Sequence, residues 1–343
     1  SNQAAVHSQQ PDDSHRITLT PRKPIERELS GGQIHTYLIE ATANQHFQVT
    51  VQKRGIDVVL GLFAPDGKKL VEIDLTSGML GSESASMIAE ATGAYRLEVR
   101  AIPPMAPTGK YTVTVSQMDK ATEQDRIHLT AQTRLAEGEQ LHMRGEPESL
   151  QRAIQMYADA LALYRSTGNH DGEANALRRL GEAYHDIREP KTALDAWDQE
   201  RLLRIAAGDR GGEAHALYKM GTIYDEWEEK QKALDYNNQA LVRQHEIGDR
   251  ASEANTLITI GWIYCRILEK QRALNYFQQA LSICHAIGDL VGESYALLAL
   301  SSIFTSKAER QRALGYSQQA LSLSRAIGNR KGEAYALHNL AWH

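Results

Sequence analysis

The residues with the widest chemical range in this chain are thirteen histidines and two cysteines. A cysteine acts as a nucleophile when a histidine in reach takes its proton and a third group orients that histidine. Cys265 with a nearby histidine could imitate such a pair, but no orienting group or oxyanion site accompanies it. Cys265 and Cys284 are too few for a disulfide framework or a thiolate metal site. His185 and His215 fall where neighbouring helices can bring them together, which a paired polar face explains more simply. Asp57, Asp66, Asp74 and Glu83 supply carboxylates suited to calcium. Their spacing fits no compact binding loop, and aspartates in turns commonly accept from their own backbone. His-Glu-x-x-His, Gly-x-Ser-x-Gly and Gly-x-Gly-x-x-Gly are absent, and Gly67-Lys68-Lys69 lacks the glycine spacing and hydroxyl residue of a phosphate loop. The expectation is a chain with no catalytic residue, metal ligand or cofactor, and so not an enzyme.

The elements that carry these residues repeat. Gly181, Gly221 and Gly261 recur every 40 residues, and Ser301 and Ala341 continue the series. A fixed period marks stacked units that cannot bury an apolar face alone. Each unit holds two helical patterns. The first runs from Gly172 to Tyr184, with Leu177, Leu180 and Tyr184 spaced by three and four along one stripe. The second reads Ala-Leu-x-Tyr-x-x-Gln-Ala-Leu at Ala233–Leu241, Ala273–Leu281 and Ala313–Leu321. Gly208-Asp209, Gly248-Asp249, Gly288-Asp289 and Gly328-Asn329 separate the units, glycine ending one helix and Asp or Asn capping the next. Glu173, Glu213, Glu253, Glu293 and Glu333 then occupy first turns, where the helix dipole favours them. Small residues at Gly181 and its equivalents, and at Ala193, Ala233, Ala273 and Ala313, allow the two helices of a hairpin to approach.

The spacing of Leu177, Gly181, Tyr184 and Ala193, with the later column Ala240, Ala280 and Ala320, resembles the tetratricopeptide repeat. The period exceeds the usual one of about 34 residues, and the Gly-Asp linkers are similar to the extended repeats of kinesin light chains and bacterial signalling proteins. The resemblance covers about residues 123–343. Glu200 replaces the small residue of its column and Ser301 replaces glycine, so these two contacts should pack differently. An irregular opening repeat runs through Leu129, Leu135 and Leu141, then Ala153, Tyr157 and Leu161. At the other end the chain enters the first helix of a fifth unit, exposing Leu337, Leu340 and Trp342, and the natural protein is expected to continue.

The resemblance implies a concave surface lined by the first helix of every unit. Carried onto this register, the lining residues are Asn175, Arg178, Glu182 and His185, then His215, Tyr218, Thr222 and Asp225. The next units contribute Asn255, Ile258, Trp262 and Cys265, then Tyr295, Leu298, Ser302 and Thr305, with Tyr335 beyond. Arg179 and Lys219 stand at the edge. This surface passes from charged to aromatic, and Trp262, Tyr295 and Tyr335 are the side chains suited to anchoring a partner. Packing of Trp262 and Tyr295 against adjacent helices is the competing reading.

Residues 17–118 have a different period. Phe47, Val49 and Val51, then Tyr95, Leu97 and Val99, then Tyr111, Val113 and Val115 alternate with polar residues as half-buried strands do. Gly31-Gly32, Ala43-Asn44, Pro65-Asp66-Gly67, Thr92-Gly93 and Thr108-Gly109 mark the turns. Seven or eight short strands predict an antiparallel β-sandwich. The motifs Gly32–Tyr37, Asp57–Leu60 with Pro65-Asp66-Gly67, Thr92–Tyr95 and Gly109–Tyr111 resemble the bacterial pre-peptidase C-terminal (PPC) domain, which implies an extracytoplasmic accessory module. Residues 1–16 are polar and aperiodic, and a disordered tail is expected. A secreted or periplasmic location follows if a signal peptide was removed before Ser1; composition alone assigns no compartment.

The expected architecture is therefore multidomain β + α. A tail (1–16) and an N-terminal antiparallel β-sandwich (17–118) precede an α-helical solenoid (119–343) of about four repeats and the first helix of a fifth. A net charge of −5 with no strongly basic region argues against nucleic acid, and no apolar run is long enough to span a membrane. The first functional expectation is a scaffold holding a peptide or protein segment, or the protein's own further domain, in the concave groove. A second is the regulatory arm of a protein with a downstream caspase-like CHAT protease, which this order of domains resembles. The third is ligand or carbohydrate binding by the sandwich.

Overall fold

The computed structural model describes residues 17–54, 56–73, 80–102, 108–116, 118–304 and 308–342. The expectations for residues 1–16, Asp74, the Glu83 side chain and Thr305 lie outside them. The chain divides into two compact units between Gln132 and Thr133.

Ten strands form among the described residues of the first unit: β1 (Ile17–Thr18), β2 (Ile25–Leu29), β3 (Ile34–Ala41), β4 (Gln45–Arg54), β5 (Asp57–Phe63), β6 (Lys69–Ile73), β7 (Leu80–Ile88), β8 (Gly93–Ile102), β9 (Gly109–Val115) and β10 (Asp119–Lys120). One sheet has the order β1-β3-β8-β5-β6; in the other, β10-β4-β9-β2 is joined by β7 on β4. Alternation decides which side chains turn inward, since neighbours on a strand face opposite ways. Phe47, Val49 and Val51 of β4 share one fully buried core with Tyr95, Leu97 and Val99 of β8 and with Tyr111, Val113 and Val115 of β9. The pairing is antiparallel except at β1, whose two residues lie parallel to Tyr37 and Leu38. Asn44, with φ 69°, turns the chain from β3 into β4. Asp66 accepts the Lys68 amide at 2.9 Å within its own turn, and Asp57 accepts Lys53 Nζ at 2.6 Å, so both aspartates have structural partners.

Helix α1 (Glu123–Arg144) straddles the division, its first turn tied to the strands by Arg126 on Asn44. The second unit continues with α2 (Pro147–Thr167), α3 (His170–Asp186), α4 (Pro190–Ala206), α5 (Arg210–Glu226), α6 (Lys230–Ile247), α7 (Arg250–Arg266), α8 (Lys270–Ile287), α9 (Leu290–Ile303), α10 (Arg310–Ala326) and α11 (Arg330–Trp342). The caps follow from residue type. Asn169, Asp209, Asp249, Asp289 and Asn329 accept the amides of Gly172, Gly212, Ser252, Gly292 and Gly332 at 2.9–3.1 Å. The glycine before each cap is left-handed, as at Gly248 with φ 72°. Inside the opening hairpin Gly145, with φ 69°, makes the turn, whereas the turns inside the next three hairpins use no glycine: Arg188, Glu228 and Leu268 take φ of 61–64°. Such a residue costs about 1–2 kcal/mol, offset here by closing bonds such as Glu189 N to Tyr184 O at 2.8 Å.

The glycine column is a size-matched joint. A β-carbon on Gly181 would meet Trp197 at 2.4 Å, one on Gly221 would meet Asn237 at 2.4 Å, and one on Gly261 would meet Phe277 at 2.4 Å. Each large side chain of a second helix thus lies over the glycine of its own first helix. Ser301 does pack differently: its hydroxyl bonds the equally buried Ser317 at 2.6 Å. First helices also touch one another, α7 against α9 and α9 against α11, so they form the inner layer of the stack.

Candidate functional site

With the apolar stripes of α3, α5, α7, α9 and α11 turned into the stack, one polar face of each is left on the inner layer. Along those faces runs a cavity of about 950 Å³. It contains Arg178 and Glu182 of α3, His215 and Tyr218 of α5, Asn255, Ile258 and Trp262 of α7, Tyr295, Leu298 and Ser302 of α9, and Tyr335 of α11. The 40-residue register places these side chains side by side, so residues far apart in the chain wall one space.

The cavity's α3–α5 end is charged. Glu182 stands 3.1 Å from Arg179 and 3.5 Å from Arg178. Burial pushes its carboxyl up, but Arg179, Arg178 and Lys219 together outweigh burial and hold it below the usual carboxylate range. His215 lies 3.8 Å from Glu182, and its Nδ1 has no hydrogen-bond partner. Burial, reinforced by Arg178 and Lys219, pushes the His215 imidazole down to about 3, so the ring is neutral at ordinary pH. Behind it Glu200 is fully buried with neither oxygen hydrogen-bonded, and burial pushes its carboxyl up to about 8.

The middle is polar and the α9–α11 end apolar. Thr256 Oγ1 and Gln244 Oε1, both from buried side chains lining the cavity, have no partner. Unpaired buried polar groups of this kind cost free energy that a ligand able to bond them would recover. Trp262 does two jobs: its ring meets Phe277 edge-on at 5.2 Å and also walls the cavity. Tyr295 is partly buried against the cluster of Leu297, Leu298, Ala320 and Ala336, while Tyr335 is 51% exposed. Asn339 donates to Ser302 Oγ at 3.3 Å.

Four of the expected lining residues are engaged elsewhere. Asn175 accepts from Arg204 Nη2 at 2.5 Å; His185 pairs with Glu226 at 3.0 Å and lies against Trp197; Thr222 donates to the Tyr218 carbonyl at 3.1 Å; Asp225 is bound by Lys230 at 3.1 Å and by Arg266. With His185 on Glu226 and His215 by Glu182, the two histidines make no pair. Cys265 is half-buried, and burial pushes its thiol up, away from the thiolate a nucleophile needs. Cys284 is buried and pushed up to about 11. Among the described residues no three His, Cys, Asp or Glu side chains stand together as a metal site, and no helix is long and apolar enough to cross a membrane. Gln244, Thr256 and Asn339 were not anticipated as lining residues. Gln244 belongs to a second helix, Thr256 sits at a register position the groove pattern omits, and Asn339 falls in the register of the edge residues Arg179 and Lys219.

A tetratricopeptide-repeat family model matches residues 296–331, from within α9 to the start of α11. Among solved structures, aspartyl phosphate phosphatase F from Bacillus subtilis aligns with a TM-score of 0.58 at 14% identity, covering 63% of this chain and 56% of that one. The helical unit is a tetratricopeptide-like solenoid. Two further structures align with this solenoid fold at lower scores. The Rap conjugation gene regulator of plasmid pLS20, solved in complex with the Phr* peptide, gives 0.49 at 15% identity over 62% of this chain and 58% of that one. MamA gives 0.42 at 21% identity over 59% and 95%. No curated protein sequence matches the chain.

Proposed function

We propose that the solenoid is a non-catalytic scaffold that holds a peptide or protein segment against the inner faces of its first helices. The observation that carries this reading is the open cavity of about 950 Å³ along five successive first helices, charged at its α3–α5 end, with unpartnered polar groups in its middle and aromatic and apolar side chains towards α11. Interfaces gain most from Trp and Tyr side chains that the partner buries fully, and Trp262, Tyr295 and Tyr335 line the cavity where a partner would cover them. An extended segment could bond Thr256 and Gln244 while setting an apolar side chain on the rings.

The test is selection of peptides from an unbiased displayed library on the full chain, followed by Trp262→Ala and Tyr335→Ala. Each change should weaken a selected peptide by roughly 2 kcal/mol, about thirtyfold. Tyr335 is half exposed, so its variant should keep the parent melting temperature. Equal affinity in both variants would remove the groove from the function.

A further inference from the structure

The repeat containing α4 breaks the pattern at one buried position. Ala160, Ala240, Ala280 and Ala320 form a column of fully buried small side chains, and Glu200 takes that place in α4 with no exposed surface. Nothing in the packing of a repeat requires an acid there, since four other units do without one.

Charged or titratable groups face Glu200 from each helix packed on α4. Arg178 and Glu182 of α3 act on its carboxyl; both also wall the groove. On α4 itself, Arg204 Nε stands 3.8 Å from Oε1. Arg204 is held away by Asp171 at 2.8 Å and Asp209 at 3.1 Å, the latter from the α4–α5 turn. From α5, His215 Nδ1 stands 3.9 Å from Oε2.

On the groove side of this cluster, positive charge is in excess. Lys219 lines the cavity 5.9 Å from the Trp197 ring, and among the described residues no carboxylate stands within ion-pair distance of it. Arg179 pairs with Glu139 at 2.6 Å, and Glu182 is shared between Arg178 and Arg179. Three cations thus meet two carboxylates. Asp249, the other carboxylate lining the cavity, caps α7, where the helix dipole offsets its charge.

We propose that the α3–α5 end of the groove is an anion subsite for one carboxylate of a bound protein segment, walled by Arg178 and Lys219, and that the proton on buried Glu200 keeps it cationic. The proposal rests on the groove reading above and adds the partner's chemistry and its linkage to a proton. Loss of that proton puts a third negative charge behind Arg178 and cancels the surplus. A single surplus charge suits a carboxylate; a dianionic phosphate would be left half unmatched. Burial holds the Glu200 proton up to about 8. His215, pushed down to about 3, stays neutral through that range and does not mask the change.

The experiment uses peptides selected on the full chain near pH 6.5, with each acidic residue then replaced by its amide. With the parent protein, one acid-to-amide change should weaken binding about tenfold near pH 6.5 and far less near pH 9. Lys219→Gln should erase the preference for the acid. Glu200→Gln, which keeps shape without the titratable proton, should bind the acidic peptide equally at both pH values. Matching pH profiles for parent and Glu200→Gln, or no cost to the amide peptides, would overturn the subsite while leaving the groove reading intact. Failure to select any peptide sensitive to either Trp262→Ala or Tyr335→Ala would overturn the groove reading, and the subsite with it.

Discussion

Glu200 and His215 are opposite cases of the same physics. Removal from water disfavours the charged form of each, so the acid keeps its proton and the base gives its proton up. For Glu200 the folded chain holds a proton that the unfolded chain releases between its ordinary value of 4.5 and about 8. Stability contributed by this group therefore falls as pH rises through that window, at about 1.4 kcal/mol per pH unit while one proton separates the states. His215 acts with the opposite sign from 6.5 down to about 3, where the unfolded chain takes up a proton that the folded chain refuses. The two slopes oppose each other from 4.5 to 6.5, which leaves 6.5 to 8 to Glu200 alone. Thermal melting of the parent against Glu200→Gln across that interval should show a difference that widens with pH. A constant difference would mean that Glu200 is already ionised.

At the scale of the element, the repeat is held by joints whose two sides are matched in size. Gly261 exists for Phe277, as Gly181 does for Trp197. Gly261→Leu should force the α7–α8 hairpin apart and destabilise the array by about 1–3 kcal/mol, read as a lower melting temperature. Adding Phe277→Ala should restore part of the loss, because the deleted ring vacates the space the leucine needs. If the double variant is as unstable as the two single losses added together, the two positions do not share a joint. The caps are a second class of element-level contact. Asp249→Ala frees the Ser252 amide that Asp249 accepts at 3.1 Å, and should cost about 1 kcal/mol by denaturant titration. The first-turn glutamates are structural as well: Glu213 reaches Arg210 at 2.8 Å and Arg243 at 3.0 Å, and Glu253 reaches Arg250 at 2.6 Å.

At the scale of the whole molecule, the two units have separate cores and differ in kind. The sandwich closes one core between two sheets, whereas the solenoid distributes its core over a row of small clusters along the repeats. Repeat stacks gain stability from each unit and from its neighbours. Amide hydrogen exchange after Gly261→Leu should therefore show protection lost most in α7 and α8, less in α5 and α10, and least in α3. Uniform loss throughout the solenoid would mean one cooperative block instead of coupled units.

Much of this was legible in the residues. The 40-residue period, the paired helical stripes, the Gly-Asp caps and the alternating strands are local patterns, because a helix or strand sets side-chain direction by its own geometry. The same register named eleven residues that share the cavity, from Arg178 to Tyr335. What it could not decide is what each side chain meets in the next unit. His185 is drawn to Glu226 and Asp225 to Arg266, partners 41 positions away whose approach depends on how the units stack. The left-handed turns at Arg188, Glu228 and Leu268 carry no residue signal either, since ordinary side chains adopt them only under the pull of the surrounding hairpin. Glu200 could be seen in sequence as an odd residue in a small-residue column. Only the folded stack, by withdrawing it from water beside His215, decides that it carries a proton.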